Sequence, residues 1–89
     1  MLFRSSNAGA GAIQDYEEGV TLFHGSTGLI GDAFDAGTWC TQDIVDAIYY
    51  AHRIGGNRVY VFVGKAGFGR QRKYFRLKEP RAPDYCLKL

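Results

Sequence analysis

The segment Val-Tyr-Val-Phe-Val at residues 59–63 constrains the fold more than any other part of the sequence. Successive side chains of a strand point to opposite faces, so the three valines share one face and Tyr60 and Phe62 share the other. Both faces are therefore apolar, which predicts a strand in the interior of a sheet. With 89 residues, the chain is expected to form one domain with a thin core.

A helix is predicted between Thr41 and about Ile54. Thr41 is a favourable N-cap residue, and Asp43 in the first turn suits the positive end of the helix dipole. The glycine pair at 55–56 predicts the end of the helix. Its apolar face follows helical spacing and comprises Ile44, Ala47, Ile48 and Ala51.

The remaining segments predict short strands at residues 20–23, 38–40, 73–77 and 85–89. Glycines at 64, 67 and 69 predict a turn after the central strand, and residues 25–37 a loop with one helical turn near 32–34. Residues 1–19, with a Gly-rich stretch at 5–12, are expected to be a flexible lead-in, and residues 20–89 the domain. The predicted class is α+β, with a small, mostly antiparallel sheet and one main helix.

Charge is distributed unevenly along the chain. Residues 1–57 contain two Lys/Arg against seven Asp/Glu, and residues 58–89 contain nine against two. This division favours an anionic partner for the C-terminal third, or alternatively internal pairing or a solvated basic face. No apolar run is long enough for a membrane span or a secretory signal, so a cytoplasmic protein is expected. Cys40 and Cys86 lack metal-ligand spacing to either histidine and are expected to be buried free thiols, with a disulfide left open.

Candidate ligand-binding residues follow the first domain strand and flank the helix. His24 at a strand end can donate to a ribose hydroxyl, and Gly25 beside it lets a ligand amide approach the backbone. Trp39 and Tyr50 offer flat faces for stacking a nicotinamide ring. Taken singly, His24 and Gly25 are more typical of a surface turn, and Trp39 and Tyr50 of core aromatics. The functional interpretation therefore depends on their combination.

That combination resembles the catalytic domain of poly(ADP-ribose) polymerases and the wider diphtheria-toxin-like ADP-ribosyltransferases. The resemblance covers roughly residues 20–89, with the middle loops much shorter than in the eukaryotic enzymes. The family's His-Gly-Ser/Thr motif is matched by His24, Gly25 and Ser26, and its Gly-x-Tyr-Phe-Ala/Ser motif by residues 37–41, including Thr41. The helix tyrosine is matched by Tyr50, eleven positions after Trp39. The resemblance implies NAD as a substrate held by these residues, with the two aromatics around the nicotinamide.

The sequence departs from the family pattern at two positions. Trp39 replaces the motif tyrosine, and Arg72 or Lys73 falls where the family has its catalytic glutamate. That carboxylate stabilises positive charge on the ribose as the nicotinamide bond breaks, and a cation has the wrong sign for this task. Glu79 and Asp84 are the nearest acids and the only candidate catalytic residues.

A basic segment follows, with aromatic residues between its cations. Such alternation on strands is found in proteins that bind single-stranded nucleic acid or a pyrophosphate, and also in ordinary strand pairs with polar outer faces. The candidate anion-binding residues are Lys65, Arg70, Arg72, Lys73 and Arg76.

Three functions remain open from the sequence. The first is a small mono-ADP-ribosyltransferase or NAD glycohydrolase that needs no metal. The second is an inactive ADP-ribosyltransferase-like module that binds an ADP-ribose-type ligand, RNA or a nucleic-acid-handling protein; a phage anti-CRISPR or other anti-defence inhibitor would fit this size. The third is a structural protein in which the motifs are coincidental, which a large separation of His24 from Trp39 and Tyr50 would support.

Overall fold

The computed structural model describes residues 14–16 (backbone only), 19–64 and 67–89. The predicted Gly-rich stretch at 5–12 lies outside these residues. In chain order the elements are β1 (Gln14–Tyr16), β2 (Val20–Ser26), β3 (Trp39–Thr41), α1 (Ile44–Arg53), β4 (Arg58–Gly64), β5 (Phe68–Gln71), β6 (Tyr74–Leu77) and β7 (Tyr85–Lys88).

The strands form one antiparallel sheet in the order β1-β5-β6-β3-β2-β4-β7. Its longest ladder joins β2 to β4, from Val20 opposite Gly64 to Ser26 opposite Arg58. Strand β4 lies between β2 and β7, and its residues 59–62 are buried. The predicted α+β class with one helix is confirmed for the described residues. The predicted interior strand is also confirmed, except that Val63, at its end, is 45% exposed.

The main hydrophobic core covers one face of the sheet. Leu29 and Phe34, from the loop after β2, pack against it. The Arg81 guanidinium also packs against this core, 4.8 Å from the Phe68 ring centroid and 5.8 Å from that of Phe62. The buried members of this core are Val20, Leu22, Cys40, Tyr60, Phe62, Phe68, Phe75 and Leu77.

Helix α1 packs on the opposite face of the sheet. Its two fully buried residues, Ala47 and Ala51, lie directly over Gly25 of β2. A Cβ at Gly25 would overlap the carbonyl oxygen of Ala47 and lie 2.9 Å from the backbone nitrogen of Ala51. Glycine at this position is therefore required for the helix to approach the sheet so closely.

Capping hydrogen bonds at its two ends determine where α1 begins and where it ends. The N-cap is Asp43, whose side chain accepts a hydrogen bond from the Val45 N–H at 2.9 Å; the predicted N-cap at Thr41 is wrong because Thr41 belongs to β3. At the other end, Gly55 donates to His52 and Gly56 to Ala51, with Gly55 at a φ of 77°. These two bonds define a Schellman motif and confirm the predicted stop.

Three local predictions differ from the structure. Gly67 lies directly before β5 and Gly69 lies within it, so these residues do not simply form a turn. Strand β5 pairs with β1 on one side and with β6 on the other. Strand β1 lies within the range expected as a lead-in. The predicted helical turn at 32–34 is also wrong: Phe34 instead forms a two-way backbone bridge with Arg81, with both N···O distances at 2.9 Å.

The two thiols lie in different environments. Cys40 is fully buried, as predicted, whereas Cys86 on β7 is exposed, so that part of the prediction is wrong. Strands β3 and β7 are three strand spacings apart, about 14 Å, which is too far for a disulfide within the chain. In the described part of the chain, no helix has the length and apolarity needed to cross a bilayer.

Candidate functional site

A pocket of about 740 Å³ lies on the helix side of the sheet, between α1 and the β5–β6 hairpin. From the helix, Asp46, Tyr49, Tyr50 and Arg53 line it at positions i, i+3, i+4 and i+7, which form one helical face. From the sheet and the hairpin turn come Trp39, Gln71, Arg72, Tyr74 and Arg76. This volume lies within the range of small-molecule sites.

Three aromatic rings form one contact chain in the pocket. The ring centroids of Trp39 and Tyr50 are 4.6 Å apart at an interplanar angle of 87°, and those of Trp39 and Tyr74 are 5.7 Å apart at 73°. A planar ligand stacked between two rings needs about 7 Å between them. Trp39 and Tyr50 are thus brought together as predicted, but they contact each other edge to face and do not stand open as a sandwich.

Arginines supply the positive charge of the pocket. Arg76 lies directly opposite Trp39 in the β3–β6 ladder. Its guanidinium donates to the Gly37 carbonyl at 2.8 Å and to the Gln71 side chain at 3.3 Å, which fixes its position. Arg72 occupies the hairpin turn at a φ of 58° and is exposed. With Arg53, three cations face one carboxylate, Asp46, so the pocket favours an anionic ligand.

His24 lies next to Trp39 but does not line the pocket. Its ring centroid is 5.5 Å from that of Trp39 and 4.9 Å from that of Phe34. Its Nδ1 is 2.8 Å from the Trp39 carbonyl oxygen, which can only accept, so Nδ1 carries the proton. Burial lowers the pKa of His24, and the bond to the Trp39 carbonyl opposes this in part. Neutral His24 therefore presents Nε2 as an acceptor, whereas the sequence analysis expected a donor to ribose.

The other predicted NAD-binding residues have structural partners. Gly25 lies under α1, as described above. The buried Ser26 hydroxyl accepts from the Gly28 N–H at 3.0 Å, and the buried Thr41 hydroxyl accepts from the Asp43 N–H at 3.1 Å. Neither Ser26 nor Thr41 lines the pocket.

The two candidate catalytic acids lie away from the pocket. Asp84 accepts the Val63 N–H at 2.7 Å and lies 3.4 Å from an Arg81 nitrogen, next to β7. Glu79 is exposed after the end of β6. The carboxylate that does line the pocket is Asp46, which the sequence analysis did not select.

The predicted basic segment is divided between the two faces of the β5–β6 hairpin. Arg70 lies opposite Phe75 on the core side, with its guanidinium carbon 5.9 Å from the Phe75 ring centroid and its Nε bonded to the Arg72 carbonyl. Arg76 lies on the helix side, and the Lys73 ammonium is 5.3 Å from the Tyr74 ring centroid. Lys65 lies outside the described residues. The cations described do not follow one strand face.

Five pocket residues were not among the sequence candidates: Asp46, Tyr49 and Arg53 on the helix, and Gln71 and Tyr74 on the hairpin. The three helix residues could have been found. Their spacing relative to Tyr50 was a usable signal, because positions 46, 49, 50 and 53 share one helical face that carries two rings and two charges. The apolar residues at 44, 47, 48 and 51, which give the stronger sequence signal, lie on the other side of the helix.

In the part of the chain that the structure describes, no three His, Cys, Asp or Glu side chains come close enough to hold a metal ion. The chain matches no protein-family model, no curated protein and no solved structure.

Proposed function

We propose that the protein is an ADP-ribosyltransferase-like binding module whose pocket takes an ADP-ribose-type ligand, including NAD, without transferring ADP-ribose. One observation carries the proposal: Trp39, the motif aromatic, and Tyr50, the helix tyrosine, contact each other in a pocket lined by three arginines. Aromatic residues that meet only to fill a core are not normally surrounded by arginines, whereas Arg53, Arg72 and Arg76 line this pocket.

The ligand class follows from the chemistry of the lining. Aromatic side chains provide flat apolar surface for a base or nicotinamide ring, and guanidinium groups bind phosphate oxygens with charge-assisted hydrogen bonds. A diphosphate that joins two nucleoside-like halves combines both features. Because Trp39 and Tyr50 are in edge-to-face contact, a ring that enters between them must displace one of the two.

The absence of transfer follows from the sign of the charge opposite Trp39. Arg76 occupies that position and is held there by Gly37 and Gln71, and a fixed cation disfavours an oxocarbenium-like transition state. Binding of a diphosphate is favoured by the same cation. The pocket is accordingly better suited to holding the ligand than to breaking its glycosidic bond.

Isothermal calorimetry with ADP-ribose, NAD and nicotinamide tests the proposal. We expect ADP-ribose and NAD to bind and Arg72→Ala to weaken binding by at least about tenfold, which is 1.4 kcal/mol. Lys73→Ala is the matched control, because Lys73 is the neighbouring exposed cation and does not line the pocket. Equal affinities for the two variants, or no binding of either ADP-ribose or NAD, would contradict the proposal.

NAD hydrolysis is a second candidate, and Asp46 is the observation that favours it. It is the carboxylate in the pocket lining and lies one helical turn before Tyr50. Nicotinamide release from NAD by the wild type, lost in Asp46→Asn but kept in Asp43→Asn, would establish this candidate. Binding without release supports the non-catalytic module.

Single-stranded RNA provides the third comparison. RNA affinity that exceeds ADP-ribose affinity, falls steeply with salt and depends on Arg70 as well as Arg72 would favour a nucleic-acid surface over the pocket. We expect ADP-ribose to bind more tightly than RNA, because Arg70 lies on the other side of the hairpin from Arg76 and cannot act with it on one strand of RNA.

A further inference from the structure

Asp46 is the one acidic side chain among the described residues that line the pocket. It is partly buried, and within the described part of the chain its carboxylate has neither a hydrogen bond nor an ion pair. Arg53 follows two helical turns later, about 10.5 Å along the helix axis, and does not pair with it. A carboxylate accepts hydrogen bonds and donates none, so Asp46 is an unpaired acceptor inside a cationic pocket.

The helix side of the pocket presents its groups in a fixed order. Asp46 comes first, and the tyrosines at 49 and 50 lie one turn later. Arg53 lies one turn after the tyrosines. A complementary ligand therefore carries a hydrogen-bond donor, a planar ring and an anionic group in the same order. A nucleotide whose base has an amino group on the edge remote from its sugar meets this requirement, because the ribose and its phosphates leave the base on the opposite side.

The charge of the lining separates adenine from the other ring of NAD. Arg53, Arg72 and Arg76 line the pocket, and the nicotinamide ring of NAD carries a positive charge whereas adenine is neutral. Because like charges repel, the lining favours the neutral base. Among purines, adenine has a donor amine at the position where guanine and hypoxanthine have an acceptor oxygen. An oxygen there would face the Asp46 carboxylate with no proton between them.

We propose that Asp46 is a specificity residue that selects the adenine end of the ligand. Its carboxylate accepts from the exocyclic amine, while the ring lies against Tyr50 and the diphosphate reaches Arg53. This inference rests on the proposed function and adds which end of an ADP-ribose-type ligand enters the pocket. It differs from the arrangement that the family resemblance implies, in which the aromatics surround the nicotinamide. Asp46 also lies in the first turn of α1, where a carboxylate stabilises the helix dipole, but that role does not distinguish one base from another.

Calorimetry of the full chain with adenosine diphosphate and inosine diphosphate tests the assignment, because these nucleotides differ only in the amino or oxo group of the base. We expect the wild type to bind adenosine diphosphate at least about tenfold more tightly. Asp46→Asn should bring the two affinities within about twofold, since an amide can donate to the oxo group as well as accept from the amine. Asp43→Asn is the matched control: it keeps an N-cap residue, lies outside the pocket lining and should retain the wild-type ratio. Each ratio is measured within one protein, so a lower folded fraction in a variant cancels.

Arg53→Ala tests the other end of the ligand. It should weaken both nucleotides by the same factor, because Arg53 meets the phosphates that they share. Equal wild-type affinities for the two nucleotides, an unchanged ratio in Asp46→Asn or a changed ratio in Arg53→Ala would overturn the assignment, and so would tighter binding of nicotinamide mononucleotide than of adenosine diphosphate. If ADP-ribose still binds in these cases, the proposed function stands and only the choice of adenine fails. No binding of ADP-ribose, NAD or either diphosphate would contradict both.

Discussion

At His24, burial and hydrogen bonding change the pKa of one imidazole in opposite directions. Burial lowers the pKa of its imidazole, and the Trp39 carbonyl raises it by a smaller amount. The net lowering means that the unfolded chain binds a proton at His24 more readily than the folded chain does. The free energy of unfolding therefore falls as the pH drops below about 6.5, the ordinary histidine value, because there the unfolded chain binds the proton more readily than the folded chain does.

We predict that acidification from pH 7.5 to 5.5 destabilises the wild type through His24, by at most about 1.4 kcal/mol per pH unit. Urea unfolding followed by circular dichroism at the two pH values measures this difference. His24→Gln should reduce the pH dependence. The same pH dependence in the wild type and in His24→Gln would contradict the burial of a neutral His24.

Cys40 and Cys86 differ in their exposure to solvent. Burial raises the pKa of the Cys40 thiol to about 12, so almost none of it is thiolate at neutral pH. We predict that iodoacetamide labels the folded protein once, at Cys86, and labels the urea-unfolded protein twice. Peptide mass spectrometry identifies the labelled residue, with Cys86→Ser as the control that should show no labelling until it unfolds.

The contact between α1 and β2 depends on a single missing side chain. We predict that Gly25→Ala destabilises the protein by about 3 kcal/mol or more, because its Cβ meets backbone atoms of α1 that cannot rotate away. Gly19→Ala is the matched control: no atom lies within 4 Å of its Cβ position, and the change should stay within about 0.5 kcal/mol. Thermal unfolding compares the two, and a tolerated Gly25→Ala would mean that α1 does not rest on β2.

The elements that the sequence predicted well are those with strong local signals. Residues 59–63 carry their pattern within five positions, and Gly55 marks the end of α1 by its positive φ. Strand β5 could not be recognised, because the glycines at 67 and 69 are typical of turns and its pairing with β1 joins residues more than fifty positions apart. The N-cap was misplaced because Thr41 and Asp43 both suit a cap and only the β3–β6 pairing decides between them.

At the scale of the whole molecule, the sheet brings residues from distant parts of the sequence together in the pocket. Trp39 and Tyr50 were predicted as partners from motif spacing, and they do contact each other. The arginine at the position opposite Trp39 could not be assigned, since the register of β6 against β3 places Arg76 there and moves Lys73 into the hairpin turn. Glu79 and Asp84 are the acids nearest in sequence to the position of the family's glutamate. Asp46, by contrast, lines the pocket from α1, which lies earlier in the chain.

The position of Trp39 has an optical consequence. It is the sole tryptophan of the sequence, and it lines the pocket in edge contact with Tyr50 and Tyr74. Indole emission excited at the red edge of the absorption band therefore originates from the pocket and from no other part of the molecule. A ring that displaces Tyr50 changes the polarity around that one indole, so the protein carries its own fluorescent reporter of pocket occupancy.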